Sequence, residues 1–329
     1  MTTWTAKFAA AVHSLESAAS RITRRKVKPT PLPEKNRGAT FNASGVVQVG
    51  QRRFVFIDNH DPGAFFEIKL DAKDEKVEWI RRRPLAGIAD GQFSDPEGLC
   101  RADQNGEIYL IAASSLCASG ADRSGRRRVS DGLVRARYTP QGDLPAEAMA
   151  GFRAWLLAHE PSLVEAGERA PDAGGLNIEG LAWDPAAGEL LFGQRGPADP
   201  GRITVIAVPV DAAGAAWTTA SLATPAVVHA AIPHSSATLG IRDISYDNSH
   251  DEDSGRFLIV LGRSLSRGDE PFQLCTWNRG SDTVRPLAVS FHRSMKPEGL
   301  TTFSSGDKQK ILVVDDGGGY AVLRSPKIS

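Results

Sequence analysis

The sequence predicts an all-β fold, a β-propeller with five blades favoured and six as the alternative, and three observations carry that prediction. The first is a recurring unit, clearest in Asn177-Ile178-Glu179-Gly180-Leu181-Ala182-Trp183-Asp184. Asp95-Pro96-Glu97-Gly98-Leu99 and Lys296-Pro297-Glu298-Gly299-Leu300 repeat it, Arg242-Asp243-Ile244 is a degenerate copy, and Ser44-Gly45-Val46 is weaker still. The second is the segment order after each unit: a polar turn, an apolar run such as Leu190-Leu191-Phe192 or Ile311-Leu312-Val313-Val314, then a third and a fourth strand-like segment. Four antiparallel strands per repeat is the grammar of a propeller blade. The third is spacing. Gly45, Gly98, Gly180, Asp243 and Gly299 stand 53, 82, 63 and 56 residues apart, and the long interval contains a helix-forming stretch ended by Pro161.

In chain order, Trp4, Phe8, Val12, Leu15, Ala19 and Ile22 recur at helical steps, so residues 1–28 are expected to form an amphipathic helix packed on the main domain. Its basic end (Arg21, Arg24, Arg25, Lys26, Lys28) suits the negative pole of a helix dipole. Thr30-Pro31-Leu32-Pro33 ends that helix, and residues 29–329 are expected to form a single propeller domain with a helical insertion near 145–167. After Gly299 the chain has room for only two more strands, so the last blade lacks one. A segment between Lys26 and Phe41 is placed to supply it and close the ring, which also removes open sheet edges.

Composition narrows the function. Lys plus Arg and Asp plus Glu are equal at 39 each, so no global field draws nucleic acid or an anionic membrane. No apolar run approaches the roughly 20 residues of a membrane helix. No basic leader with a clean apolar run opens the chain, since Lys7, His13 and Glu16 interrupt it, and a cytoplasmic location is the expectation. Cys100, Cys117 and Cys275 form no C-x-x-C pair and read as buried thiols. Gly317-Gly318-Gly319 precedes a strand, not a helix, so no nucleotide cofactor is expected.

Propeller geometry gathers the residues that open the first strands and those that end the second strands at one mouth. Glu97, Glu179 and Glu298 are therefore expected beside Asp58, Asp315, Asp316, Arg195 and Arg263, with Arg242 and Asp243 in the fourth repeat. Oxygen ligands from Glu97, Glu179, Glu298, Asp58 and Asp316 suit a divalent ion, calcium first. The competing reading has each Glu accept backbone amides or pair with a neighbouring Arg, and so pin the ring together. Arg195, Arg242 and Arg263 depart from the repeat, and guanidinium groups read carboxylates and phosphates with paired donors, so they are the expected contacts to a small anionic molecule. His60, beside Asp58, is the best-placed general base of the seven histidines, which makes His60, Asp58 and Arg195 the catalytic candidates. The acidic stretch Asp247–Gly255 lacks an EF-hand's glycine and closing Glu and reads as a solvated turn.

The Asp/Asn-x-Glu-Gly-Leu units resemble those of the phytase-like, or esterase-like, β-propeller group. Asn177 to Ala182 with Leu190 to Pro197 is similar to the signature of a bacterial family catalogued as domain of unknown function thirty-six sixteen. The resemblance covers about residues 40–325; it implies a propeller and, through the wider group, ester or phosphoester hydrolysis. The function expected is thus metal-assisted hydrolysis of a small anionic ester or phosphoester at the channel mouth. The alternative is a noncatalytic propeller that binds a ligand or a protein partner there.

Overall fold

The computed structural model describes residues 26–33, 40–121, 127–248 and 255–324. These are mostly strand, arranged as five four-stranded antiparallel units. The first comprises Ala43–Gly50, Arg53–Asp58, Ala64–Leu70 and Val77–Ala86. The second comprises Pro96–Gln104, Glu107–Ser114, Leu133–Arg137 and Leu144–Met149. The third runs through Asn177–Asp184, Glu189–Gly196, Arg202–Pro209 and Ala226–Ala231, and the fourth through Leu239–Tyr246, Arg256–Arg263, Gln273–Asn278 and Arg285–Phe291. The fifth takes Pro297–Ser305, Lys308–Asp315 and Gly319–Arg324 from the end of the described chain and Thr30–Pro31 from its beginning.

Each unit is a run of alternating or continuous apolar residues split by tight turns, so both faces of its middle strands are buried. The second strands show this best: Phe54, Val55, Phe56 and Ile57 in the first unit and Ile311, Leu312, Val313 and Val314 in the fifth have essentially no exposed surface. Burial of such side chains stabilises by about 1.5–3 kcal/mol each. The buried apolar residues fall into five clusters, each between neighbouring units. One of them joins the first unit to the fifth through Phe41, Phe54 and Phe66 against Phe303, Leu312 and Tyr320. The first strands also touch in cyclic order, so the array has no terminal unit.

The beginning of the chain makes that closure. Thr30 and Pro31 pair antiparallel with Tyr320 and Gly319, as the short last repeat requires. Lys26 and Val27 lie parallel to Ser290 and Phe291, so the end of the expected 1–28 helix is strand here; residues 1–25 lie outside the described residues. A parallel contact of Leu144 and Pro145 with Leu85 and Ala86 also welds the outer strands of the first two units together.

The long second repeat differs in detail from its sequence reading. Residues 144–149 are the unit's fourth strand, and the helical insertion begins only at Phe152, with helices Phe152–His159 and Val164–Gly167. The local propensity for helix at Ala146-Glu147-Ala148 yields to pairing with Leu133–Ala136. A two-stranded ribbon, Ala118–Ala121 with Arg127–Val129, adds to the same interval. Phe152, Leu156, Leu163 and Ala166 pack into the core between the second and third units. Among the described residues no helix is long and apolar enough to cross a membrane.

Candidate functional site

All five first strands carry a register shift at the motif. In four of them the extra residue is the one just before the motif glycine or its Asp243 counterpart: Glu97, Glu179, Arg242 and Glu298. In the first unit it is Gly45, at φ 49°, next to Ser44. Such bulges re-aim a side chain out of the sheet's alternation. The motif glycine has a separate task. A Cβ on Gly98 would stand 2.7 Å from the Leu181 Cβ, and one on Gly180 2.9 Å from Ile244, so each first strand presses its backbone against the next unit's strand. Asp243 takes the glycine's place in the fourth unit, and its Oδ2 accepts the Leu300 amide of the fifth at 2.6 Å.

The re-aimed side chains meet in a ring. Ser44 Oγ donates to Glu97 Oε2 at 3.1 Å and reaches Glu298 Oε2 at 3.4 Å. Arg242, fully enclosed, ion-pairs with Glu298 through Nη2 and stands 3.0 Å from Glu179 Oε2 through Nε. Glu179 Oε1 also accepts from Arg195 and, at 3.2 Å, from Asn177 Nδ2. The remaining link, between Glu97 and Glu179, has no hydrogen bond: two carboxyl groups face each other there, and their charges repel.

Glu97 is set apart in other ways. It is half-buried, whereas Glu179 and Glu298 are 3% and 5% exposed. Among the described residues no arginine pairs with it; its partners are Ser44 and Asn59 Nδ2, the latter at 2.8 Å from Oε1. Desolvation, then the charges of Glu179 and Asp95, push its pKa well above the usual carboxylate range. Arg195 is the opposite case: burial weighs against its charge, but Glu179 holds the guanidinium above its ordinary value. Its Nε donates to the Ser264 carbonyl at 3.2 Å. The wall beside Glu97 is Ser115, whose Oγ donates to Asp95, then Leu116 at φ 57° and Cys117. That wall is fixed by the helical insertion, through Arg153 Nε to the Leu116 carbonyl at 2.9 Å. The Cys117 thiol, pushed up to about 12 by burial, stays protonated.

The other expected site residues lie elsewhere. Asp58 is wholly buried and ties a turn, accepting the His60 amide at 2.9 Å and the Asn42 amide at 3.3 Å. Asp315 does the same for Lys296 and Gly317 in the fifth unit. The His60 ring is 66% exposed and 3.9 Å from Asp58, beyond hydrogen-bond reach. Its neighbour Asn59 is the residue of that loop that reaches a motif carboxyl. Arg263 turns to its own loop, donating to the Gly268 carbonyl at 2.9 Å, and Asp316 pairs with Lys296 at 3.0 Å. Ser44, Asn59 and Asn177 are members of the ring that sequence reasoning passed over. Alignment of Ser44 with the three Glu positions was the available signal for the first. Asp247 ion-pairs with Arg256, and residues 249–254 of the acidic stretch lie outside the described residues.

Four of the five residues expected to hold a divalent ion are engaged by other groups. Glu179 and Glu298 spend their oxygens on guanidinium groups, Asp58 on turn amides and Asp316 on a lysine. No group of three or more His, Cys, Asp and Glu side chains among the described residues has the geometry to hold a metal.

No protein-family model matches the chain, and no curated protein matches it in sequence. Solved structures are similar to it only at low identity and with TM-scores under 0.5. An exo-β-1,3-galactanase from Clostridium thermocellum is 11% identical, with a TM-score of 0.49 over 92% of this chain; the chain spans only 63% of that longer protein. A family-43 β-1,3-galactosidase, solved with galactodeoxynojirimycin, is 8% identical, with a TM-score of 0.47 over 90% of this chain and 94% of its own. A glucose dehydrogenase is 12% identical, with a TM-score of 0.41 over 91% and 99%.

Proposed function

We propose that the five units are the blades of a β-propeller and that the chain is a hydrolase of small anionic esters or phosphoesters, acting at the mouth around Glu97. The observation that carries this reading is the contrast within the ring: half-buried Glu97, its pKa raised by burial and by the charges of Glu179 and Asp95, lies beside a Glu179 held by Arg195. A carboxyl whose pKa is raised by burial and by a neighbouring carboxyl is a usual candidate for a general acid. In the proposed reaction the substrate's anionic oxygens meet the Arg195 guanidinium, which stabilises charge as it develops. Water attacks the acyl carbon or phosphorus and releases its proton to solvent. The ester C–O or P–O bond breaks, and the leaving oxygen takes the Glu97 proton. No step is routed through a metal. The protein is proposed to work in the cytoplasm, without nucleic acid or membrane, in keeping with its balanced charge.

The second reading, a noncatalytic ligand-binding propeller, is favoured by the commitment of Glu179, Glu298 and Arg242 to one another. Turnover of monomethyl succinate and methyl phosphate, anionic esters with basic leaving groups, separates the two. Glu97→Gln is expected to lower kcat about a hundredfold or more with KM little changed. Unchanged turnover in that variant removes Glu97 from the mechanism. Binding of the phosphoester without turnover by the native protein leaves the noncatalytic reading.

A further inference from the structure

Far from the mouth, a groove of about 1000 Å³ opens where the beginning of the chain straps the fourth unit to the fifth. Lys26, Lys28, Lys73, Lys308, Lys310 and Arg324 line it against only two acids, Asp74 and Glu75. Lys310 neutralises Asp74 at 2.8 Å, and the other five cations are exposed. The whole chain has no net charge, so this concentration of positive groups is local.

A strand edge lies in the same groove. Gly319–Arg324 pairs along its inner side with Lys308–Asp315, from Asp315↔Gly319 to Lys310↔Arg324. On its outer side Thr30 and Pro31 cover only Tyr320 and Gly319. The outer edge of Ala321–Arg324 therefore has no ladder partner among the described residues. Every other unit completes four full strands, whereas here a two-residue stub stands in for the fourth. An open edge offers alternating N–H and C=O groups to an extended chain, and half-buried Val322 and Leu323 add apolar contact.

From the basic lining and the incomplete sheet together, we infer that this groove receives an extended acidic segment of another protein, which adds as a strand along Ala321–Arg324. Backbone pairing supplies the register, and side-chain carboxylates on the segment meet the flanking lysines. The chain's own remaining ends do not complement the charge. Residues 1–25 carry Lys7, Arg21, Arg24 and Arg25 against Glu16 alone, and residues 325–329 carry Lys327.

The test is fluorescence anisotropy of the full chain with a labelled peptide of alternating Glu and Val. Saturable binding that weakens with added salt is expected, together with slowed amide exchange at residues 321–324. Lys28→Glu with Lys308→Glu, both on exposed side chains, is expected to weaken binding about tenfold or more, whereas Arg202→Glu on a distant surface leaves it unchanged. The same peptide N-methylated at alternate residues keeps its charge but cannot pair, and is expected not to bind. Equal affinity for the methylated peptide, or for inorganic polyphosphate in its place, would show a purely electrostatic surface and overturn the proposal. So would absence of binding by the parent peptide.

Discussion

Glu97 and Glu179 occupy equivalent places in successive repeats, yet they have opposite environments. Glu179 lies between two arginines and is closed off from solvent; Glu97 faces a serine and an asparagine at a partly open corner. The difference originates one repeat further on, where Arg242 replaces the glutamate. One guanidinium then serves the carboxylates on both sides of it, Glu179 and Glu298, and none remains for Glu97. A single departure from the repeat thus divides five similar positions into an ion-paired, buried side and a half-buried corner. Identical motifs acquire different chemistry from their neighbours around a ring, not from their own residues.

The largest effect is expected where the comparison is most directly broken. Arg242→Leu leaves buried Glu298 without its counter-ion and takes one of two from Glu179, and a loss of about 3–5 kcal/mol in denaturant unfolding is expected. Stability close to native would show that Glu179 and Glu298 do not depend on Arg242. A smaller effect is expected from the packing that brings the ring together. Gly180→Ala places a methyl against Ile244 and Ile241, and overpacking is expected to cost about 1–3 kcal/mol in the same measurement unless the neighbours give way.

Glu97 sharpens the comparison with the smallest change in stability. Its pKa is raised in the folded state, so its contribution is fully present below the ordinary value of 4.5 and is lost as pH rises through the raised value. Glu97→Gln cannot ionise, so it is expected to match the native protein in acid and to become the more stable of the two as pH rises. Thermal unfolding of both across that range checks the sign. A difference that grows toward acid would show instead that Glu97 is ionised and stabilised in the fold.

Much of the repeat was legible because hydrophobic period and turn residues are local properties. The Glu-Gly-Leu spacing marked the first strand of a unit, and the missing last strand pointed to the beginning of the chain, where Thr30–Pro31 does pair with Gly319–Tyr320. The site was legible only as a set of candidates. Sequence placed Glu97, Glu179, Glu298, Arg195 and Arg242 near one another, and the structure does bring these five together. It also offered Asp58, His60, Arg263 and Asp316 on the same footing, and those turn to loops and to solvent. A side chain's direction at the end of a strand depends on the adjoining turn, and the Asp58 and Asp315 carboxylates are consumed by capping such turns.

The sequence by itself determined the strand content, the recurrence of the unit and the residue types at its turning point, because these depend on period, composition and spacing along the chain. Only the tertiary structure decided which carboxyl lies beside Arg195 and Arg242 and which beside a serine and an asparagine, and which arginine is shared between two carboxylates. Those properties depend on burial and on distances between residues as far apart in sequence as Ser44 and Glu298, and closing the ring alone sets them.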